Sequence, residues 1–286
     1  MFDIKLVREN PSKFDEGLIK RGIEPSSNVL LEIDTKYRAC LTQAQKIQAN
    51  RNKLSKEIGH LKTTGNDVSE LLSKVSASKD EELLVKEKAR EQKTKLDGLL
   101  SELPNLPLSE VPVGKTEIEN KVIRSWGEQA KFTFTPREHF DIGEALGLMD
   151  FDTAAKLSGS RFVLLSGHLA LLERALSAFM LDHNTQEYGY KEVSPPALVN
   201  DKTMFGTGQL PKFASDLFRS ENGYWLIPTA EVPLTNIVAN EIVDLETLPI
   251  RLTAMTLCFR SEAGSAGQDT RGMIRQHQFS KVEMVS

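Results

Sequence analysis

Apolar residues recur in alternating steps of four and three over a long early stretch: Ile33, Tyr37, Cys40, Ala44, Ile47, Arg51, Leu54, Ile58 and Leu61. That spacing keeps one stripe of a helix against a partner helix. Residues 62–67 (KTTGND) interrupt it with turn chemistry. A second seam returns through Leu71, Val75, Ser78, Glu82, Val85, Ala89, Gln92, Leu96, Leu99 and Leu103. The short break predicts an antiparallel two-helix hairpin. At about 1.5 Å per residue each helix extends roughly 50 Å, so the pair reads as an arm. Arg51 is the charged intruder in the first seam, and the polar middle of the second predicts weaker packing there. Residues 1–26 read as a short helical lead-in. Asn10-Pro11 and Pro25-Ser26-Ser27 mark its turns, and Ser27 or Asn28 is placed to cap the first arm helix.

The pattern changes after residue 103. Pro104, Pro107 and Pro112 punctuate a linker, residues 104–117. Residues 143–156 read as helix with turn interruptions, and 162–166 as an apolar strand. Residues 168–182 form an amphipathic helix through Leu169, Leu172, Ala175, Leu176, Phe179 and Met180. A strand at 225–228 leads into Thr229-Ala230-Glu231, where alternation puts Thr229 and Glu231 on one face. Residues 252–259 are apolar and rich in strand formers, while 263–272 carry three glycines and almost nothing apolar, as a hairpin loop should. A returning strand is expected from Met273. Alternation then places Arg275, His277, Phe279, Lys281 and Glu283 on one face and sends Val282 and Met284 into a core. Arg260 and Glu262 share the matching face of the outgoing strand. The prediction is an α+β chain with a helical domain at 1–103, a proline-rich linker at 104–117 and a sheet-containing body at 118–286.

At 286 residues the chain has room for two domains. A hydrophobic content of 40% and a charged content of 27% are those of an ordinary folded protein. The formal net charge of −4 leaves no global attraction for a polyanion, so any nucleic-acid contact must be local. One such patch exists. Lys36, Arg38, Lys46, Arg51, Lys53, Lys56 and Lys62 crowd the first arm helix against only Glu57, whereas the second helix mixes signs. Cys40 and Cys258 read as small buried apolar groups in a reducing compartment, and no Cys/His cluster has zinc spacing. The acidic residues of MFDIKLVREN suit neither a signal nor a transit peptide. No run approaches about 20 apolar residues, so no membrane span is expected and the location expected is cytoplasmic.

One sheet face thus carries two arginines, two glutamates, a lysine and an aromatic ring. Buried without partners, such charges cost several kcal/mol each, so the face is not a core. It is either a solvated strand pair or a site for a ligand with phosphates, a planar base and an ammonium. Arginine clamps phosphate or carboxylate, Phe stacks on a base and glutamate takes an ammonium or a metal.

The segment resembles motif 2 of class II aminoacyl-tRNA synthetases, fRxE–loop–(H/R)xxxF, with Arg260, Glu262, Arg275 and Phe279 in place. The longer string FRSEAGSAGQDTRGMIRQHQFSKVEM is similar to seryl-tRNA synthetases in particular. Residues 192–199 (EVSPPALV) resemble motif 1, its proline falling on Pro196. GTGQLPKF at 206–213 is a string of the same family, with Lys212 a candidate ligand contact. TAE at 229–231 resembles the element that holds serine, and the 1–103 pattern resembles that family's tRNA-gripping arm.

The resemblance spans essentially the whole chain. It implies an antiparallel-sheet catalytic domain that joins serine to AMP from ATP, then passes the seryl group to tRNA(Ser). Arg260 and Glu262 would be the catalytic residues. Arg260, Ser261, Glu262, Arg275 and Phe279 would bind ATP with Mg2+, while Thr229, Ala230, Glu231 and Glu283 would hold serine. Lys46, Arg51, Lys53 and Lys56 would meet tRNA, and motif 1 would build a homodimer. No metal is expected on dedicated protein ligands. The family's motif 3 lies beyond the last residue here, so a truncated chain of low activity is expected. The alternatives are a synthetase-like RNA-binding protein without full activity, or a coiled-coil module with a structural body. Serine-dependent pyrophosphate exchange separates the first reading from both, and salt-dependent tRNA binding separates those two from each other.

Overall fold

The computed structural model describes residues 2–265, 267 and 271–286. The chain divides into two compact units, Met1–Gly127 and Glu128–Ser286.

The first unit holds four helices: α1 (Ile4–Glu9), α2 (Pro11–Lys20), α3 (Ser27–Thr63) and α4 (Ser69–Glu102). Asn10 accepts from Lys13 N–H at 3.0 Å and Pro11 opens α2, which uses proline where its missing N–H costs nothing. Helix α3 begins at Ser27, so Ser26 holds the cap position rather than Ser27 or Asn28. Its orphan N–H groups are met by another helix. Asp15 of α2 accepts from the backbone of Ser26 and of Ser27, each at 3.0 Å, and from the Ser27 hydroxyl at 2.5 Å. A carboxylate there also opposes the positive end of the helix dipole. Val7, Phe14, Leu18, Leu30, Ile33, Leu96 and Leu100 close a core where α1 and α2 meet the base of the arm.

Helices α3 and α4 pack antiparallel, and the residues turned inward are those of the two seams. Ile33, Ala44 and Ile58 are buried on α3, with Glu82, Val85, Ala89 and Leu96 on α4. The charged intruder has a partner: Arg51 is ion-paired with Glu82, which also takes Lys86 at 2.6 Å. Between residues 103 and 138 only a single 3-10 turn, Glu117–Glu119, is regular, capped by Thr116.

The second unit contains α5 (His139–Ala145), β1 (Met149–Asp150), α6 (Phe151–Ser158), β2 (Leu164–Leu165), α7 (Gly167–Gln186), β3 (Lys191–Glu192), β4 (Leu198–Val199), α8 (Asp201–Gly206), β5 (Trp225–Leu226), α9 (Glu231–Asn236), β6 (Leu252–Phe259) and β7 (Gln278–Val285). Strands β1 with β2 and β4 with β5 form small antiparallel ribbons. The main sheet has the order β3-β6-β7. Strands β6 and β7 are antiparallel, with Leu252 opposite Val285 and Phe259 opposite Gln278, and β3 joins β6 in parallel.

Several sequence expectations are corrected here. The strands expected at 162–166 and 225–228 shorten to two residues each. The returning strand starts at Gln278 rather than Met273, because the Met273 N–H goes to the His139 ring and the His277 N–H to the Arg161 carbonyl instead of to a neighbouring strand. Val282 and Met284 do not enter a core: Val282 is half-buried and Met284 is 50% exposed. The core forms on the opposite face, where Leu252, Ala254 and Val285 pack against Ala230 and Leu234 of the α9 region. Helix α7 packs against part of the Met284 face through polar contacts, Asn184 to Thr253 at 3.1 Å and Ser280 to Glu173 at 2.8 Å.

Candidate active site

The α9 face of the sheet changes character along its length. Beneath α9 it is apolar. Further along it carries Phe279 opposite Cys258, Lys281 opposite Thr256 and Glu283 opposite Ala254. Burial pushes the Cys258 thiol above its ordinary value of 9.0, so it stays a neutral, inert group in the floor.

Beside this floor lies a cavity of about 510 Å3. Its lining includes Gln209, Phe213, Asp216, Thr229, Arg260, Glu262 and Arg275. Arg260 donates Nε–H to the Pro228 carbonyl at 3.3 Å and lies over the Phe279 ring, 5.1 Å from its centre. Glu262 pairs with Arg275 at 3.4 Å. Alternation along a strand does not explain the placing of Glu262. Strand β6 ends at Phe259, and Glu262 has φ 52°, in the left-handed region that few side-chain-bearing residues adopt. Ser261 faces the Ala214–Asp216 turn, donating its hydroxyl to the Ser215 carbonyl at 2.6 Å.

Thr229, Lys281 and Glu283 form a hydrogen-bonded triad. The Thr229 hydroxyl donates to Glu283, Lys281 pairs with Glu283, and Lys281 Nζ reaches Thr229 at 3.0 Å. Thr229 and Glu231 do not share a strand face. Helix α9 starts at Glu231, so Thr229 is buried, Ala230 is the fully buried cap residue and Glu231 is exposed. The Glu231 N–H turns back to the Thr229 hydroxyl at 3.3 Å. His277 is likewise no open ligand group. Its ring packs near Phe162 and Phe218, and its Nδ1 meets the Arg260 carbonyl at 2.9 Å.

Sequence reasoning gave no role to Asp216, whose carboxylate accepts from Ala263 N–H at 3.1 Å and Gly264 N–H at 3.4 Å. Nor did it single out Gln209 and Phe213, although both lie inside the GTGQLPKF string. Lys212 is exposed and sits 5.8 Å from the Phe213 ring centre. On the arm, Lys46, Lys53 and Lys56 are exposed, whereas Arg51 is turned to Glu82. Among the described residues no helix is long and apolar enough to cross a membrane.

A helix-flanked sheet whose antiparallel hairpin presents Arg260, Glu262 and Arg275 around one cavity, with Phe279 under Arg260, defines a class II aminoacyl-tRNA synthetase core. Residues 213–286 match the tRNA synthetase class II core domain (G, H, P, S and T), and residues 1–107 match the seryl-tRNA synthetase N-terminal domain. The serine–tRNA ligase of Paramagnetospirillum magneticum is 54% identical over 286 residues, covering all of this chain and 68% of that protein. That of Rhodospirillum centenum is 55% identical over 292 residues, covering all of this chain and 67% of that protein. A seryl-tRNA synthetase of Pyrococcus horikoshii, solved in complex with ATP, is 38% identical with a TM-score of 0.84 over 99% of this chain and 69% of that one. A cytoplasmic serine–tRNA ligase of Naegleria fowleri, solved with AMP, is 25% identical with a TM-score of 0.80 over 99% of this chain and 66% of that one. The chain belongs to the seryl-tRNA synthetase family, and it spans about two thirds of the length of these relatives.

Proposed function

We propose that this chain carries the serine-activating and tRNA-binding parts of a serine–tRNA ligase. The observation that carries the reading is the meeting of Arg260, Glu262, Arg275 and Thr229 around one cavity beside Phe279 and Glu283. The reaction is an in-line attack of the serine carboxylate on the ATP α-phosphorus, with pyrophosphate leaving. The seryl group then passes to the terminal hydroxyl at the 3′ end of tRNA(Ser), with AMP leaving. Such chemistry needs positioning and charge neutralisation rather than a covalent nucleophile.

Arg260 is placed to bridge the α-phosphate and the serine carboxylate, and Phe279 beside it supplies the aromatic ring on which adenine would stack. Arg275, held by Glu262, takes the outer phosphates, with Ser261 completing the ATP contacts. Glu283 and Thr229, with buried Ala230 fixing the turn behind Thr229 and Glu231 following it, hold the ammonium and hydroxyl of serine. A site built around that hydroxyl rejects alanine, because its polar partners would go unpaired. Magnesium would come with the phosphates and would need few protein ligands, and Asp216 and Glu262 are the carboxylates that line the cavity.

We assign residues 1–103 to tRNA binding through the arm, 104–117 to a linker and 118–286 to the catalytic domain, in a cytoplasmic homodimer joined through the motif-1 helix and strand. Lys46, Lys53 and Lys56 are the phosphate contacts, while Arg51 contributes through the arm's packing. Serine-dependent pyrophosphate exchange with the full chain tests the reading. Exchange with serine but not alanine is the expected result. ATP and serine both failing to bind would leave the RNA-binding alternative.

A further inference from the structure

Residues 271–276 run between the hairpin loop and β7 without strand pairing, so besides the Glu262 ion pair something other than a β ladder must hold Arg275. The first turn of α5 supplies it. The Met273 N–H donates to His139 Nε2 at 2.9 Å. Arg271 lies over the Phe140 ring, 4.5 Å from its centre, and reaches the Asp141 carboxylate at 3.9 Å. Gly272 sits so close that any added side chain would strike both the His139 and Phe140 rings, and its φ of 80° suits glycine. Gln276 Nε2 donates to the Gly272 carbonyl at 3.0 Å. Three successive residues of the return limb are thus docked on three successive residues of α5, just ahead of Arg275.

We propose that His139 is a positioning residue of the nucleotide site: its unprotonated Nε2 holds the Met273 backbone and thereby sets Arg275 at the cavity. The proposal rests on the reading of Arg275 as a phosphate contact. A backbone N–H can donate only to a ring nitrogen with a free lone pair, so His139 must be neutral with its proton on Nδ1. Protonation sets two N–H groups against each other and frees the limb. The charged groups around the ring are Arg271 of the limb and Asp141 of its own helix. Arg137 donates to the Asp141 carbonyl at 2.9 Å, and Glu144, Asp152 and Arg161 line the small cavity beside Phe140 and Gly272.

The test uses the full chain in two assays, trypsin cleavage after Arg271 and ATP binding by calorimetry. His139→Ala should speed cleavage and weaken ATP binding, each roughly three- to tenfold, the range one net hydrogen bond allows. His139→Gln offers Oε1 to the same N–H and should restore both. If the Ala variant does not fold, His139→Phe, which keeps an aromatic ring but offers no acceptor, takes its place against His139→Gln. Cleavage and ATP affinity unchanged in a folded His139→Ala chain, or a Gln variant that behaves like Ala, would overturn the proposal. Arg275→Ala separates the claims: if it leaves ATP affinity intact, the phosphate reading falls, and cleavage alone still reports on the docking contact.

Discussion

At the residue scale, two glutamates that the sequence pattern treats alike stand in different places. Glu283 closes a triad with buried Thr229 and with Lys281, whereas Glu231 opens α9 and is exposed. Glu283→Ala should therefore lower serine affinity by roughly tenfold or more, the loss expected for a hydrogen bond to a charged group. ATP affinity should hardly change. Glu231→Ala should have the smaller effect on serine. Phe279→Ala should weaken ATP instead, by about 1–3 kcal/mol if the base stacks on the ring. Calorimetric titration of each ligand decides, and a Glu283 variant that keeps serine but loses ATP would reverse the assignment. Phe279, Lys281 and Glu283 were legible on one face because β7 does alternate. Glu262 was legible only from its motif, since its left-handed backbone obeys no alternation. The contact of Thr229 with Lys281 and Glu283, 52 and 54 residues on, could not be read from local pattern at all.

At the element scale, the arm is where sequence and structure agree best, because a seam with steps of four and three demands a partner helix and the short break at 62–67 makes that partner the next one. The pattern did not show that Arg51 and Glu82, one from each seam, meet. Removing Glu82 alone would leave the Arg51 guanidinium facing an apolar seam, so Glu82→Ala should lower the melting temperature of the arm more than the double change Arg51→Leu with Glu82→Leu. Hydrogen bonding to Lys86 first, then the charges of Arg51 and Lys86, hold the Glu82 carboxyl below its ordinary 4.5 against the effect of burial. A carboxylate whose folded value is lowered stabilises fully above its unfolded value and loses that contribution as pH falls through the folded one. The arm's melting temperature should thus fall below about pH 4.5, and less so in the double variant. Reversing Lys46, Lys53 and Lys56 to Glu should weaken tRNA binding and flatten its salt dependence while sparing serine. Each lost phosphate contact removes about 0.9 from the salt slope. A tRNA affinity that does not move would remove the lysines from the interface.

At the scale of the whole molecule, the question is what covers the apolar residues that the sheet unit leaves in water. The amphipathic pattern of α7 was legible, but an apolar stripe looks the same whether it faces its own core or another chain. Here Leu172, Leu176, Phe179 and Met180 of α7 are all exposed, Phe179 by 64%, along with Met255, Leu257 and Met284 on the sheet face that α7 packs against. A run of that size is more than scattered surface residues and marks an interaction surface. A second copy of the chain is the economical partner, since a two-fold axis makes one patch its own complement. Burying each Leu, Phe or Met side chain stabilises by about 1.5–3 kcal/mol, and a stable homodimer interface takes in about 2,000 Å2 or more. The wild-type chain should therefore scatter light as roughly twice its 31.9 kDa mass. Leu176→Glu with Phe179→Glu would place like charges in a desolvated patch at several kcal/mol each. That variant should scatter as a monomer while keeping its helical circular dichroism, because neither side chain is buried within its own chain. A wild type that is monomeric at micromolar concentration, or a double variant that stays dimeric, would move the interface away from α7.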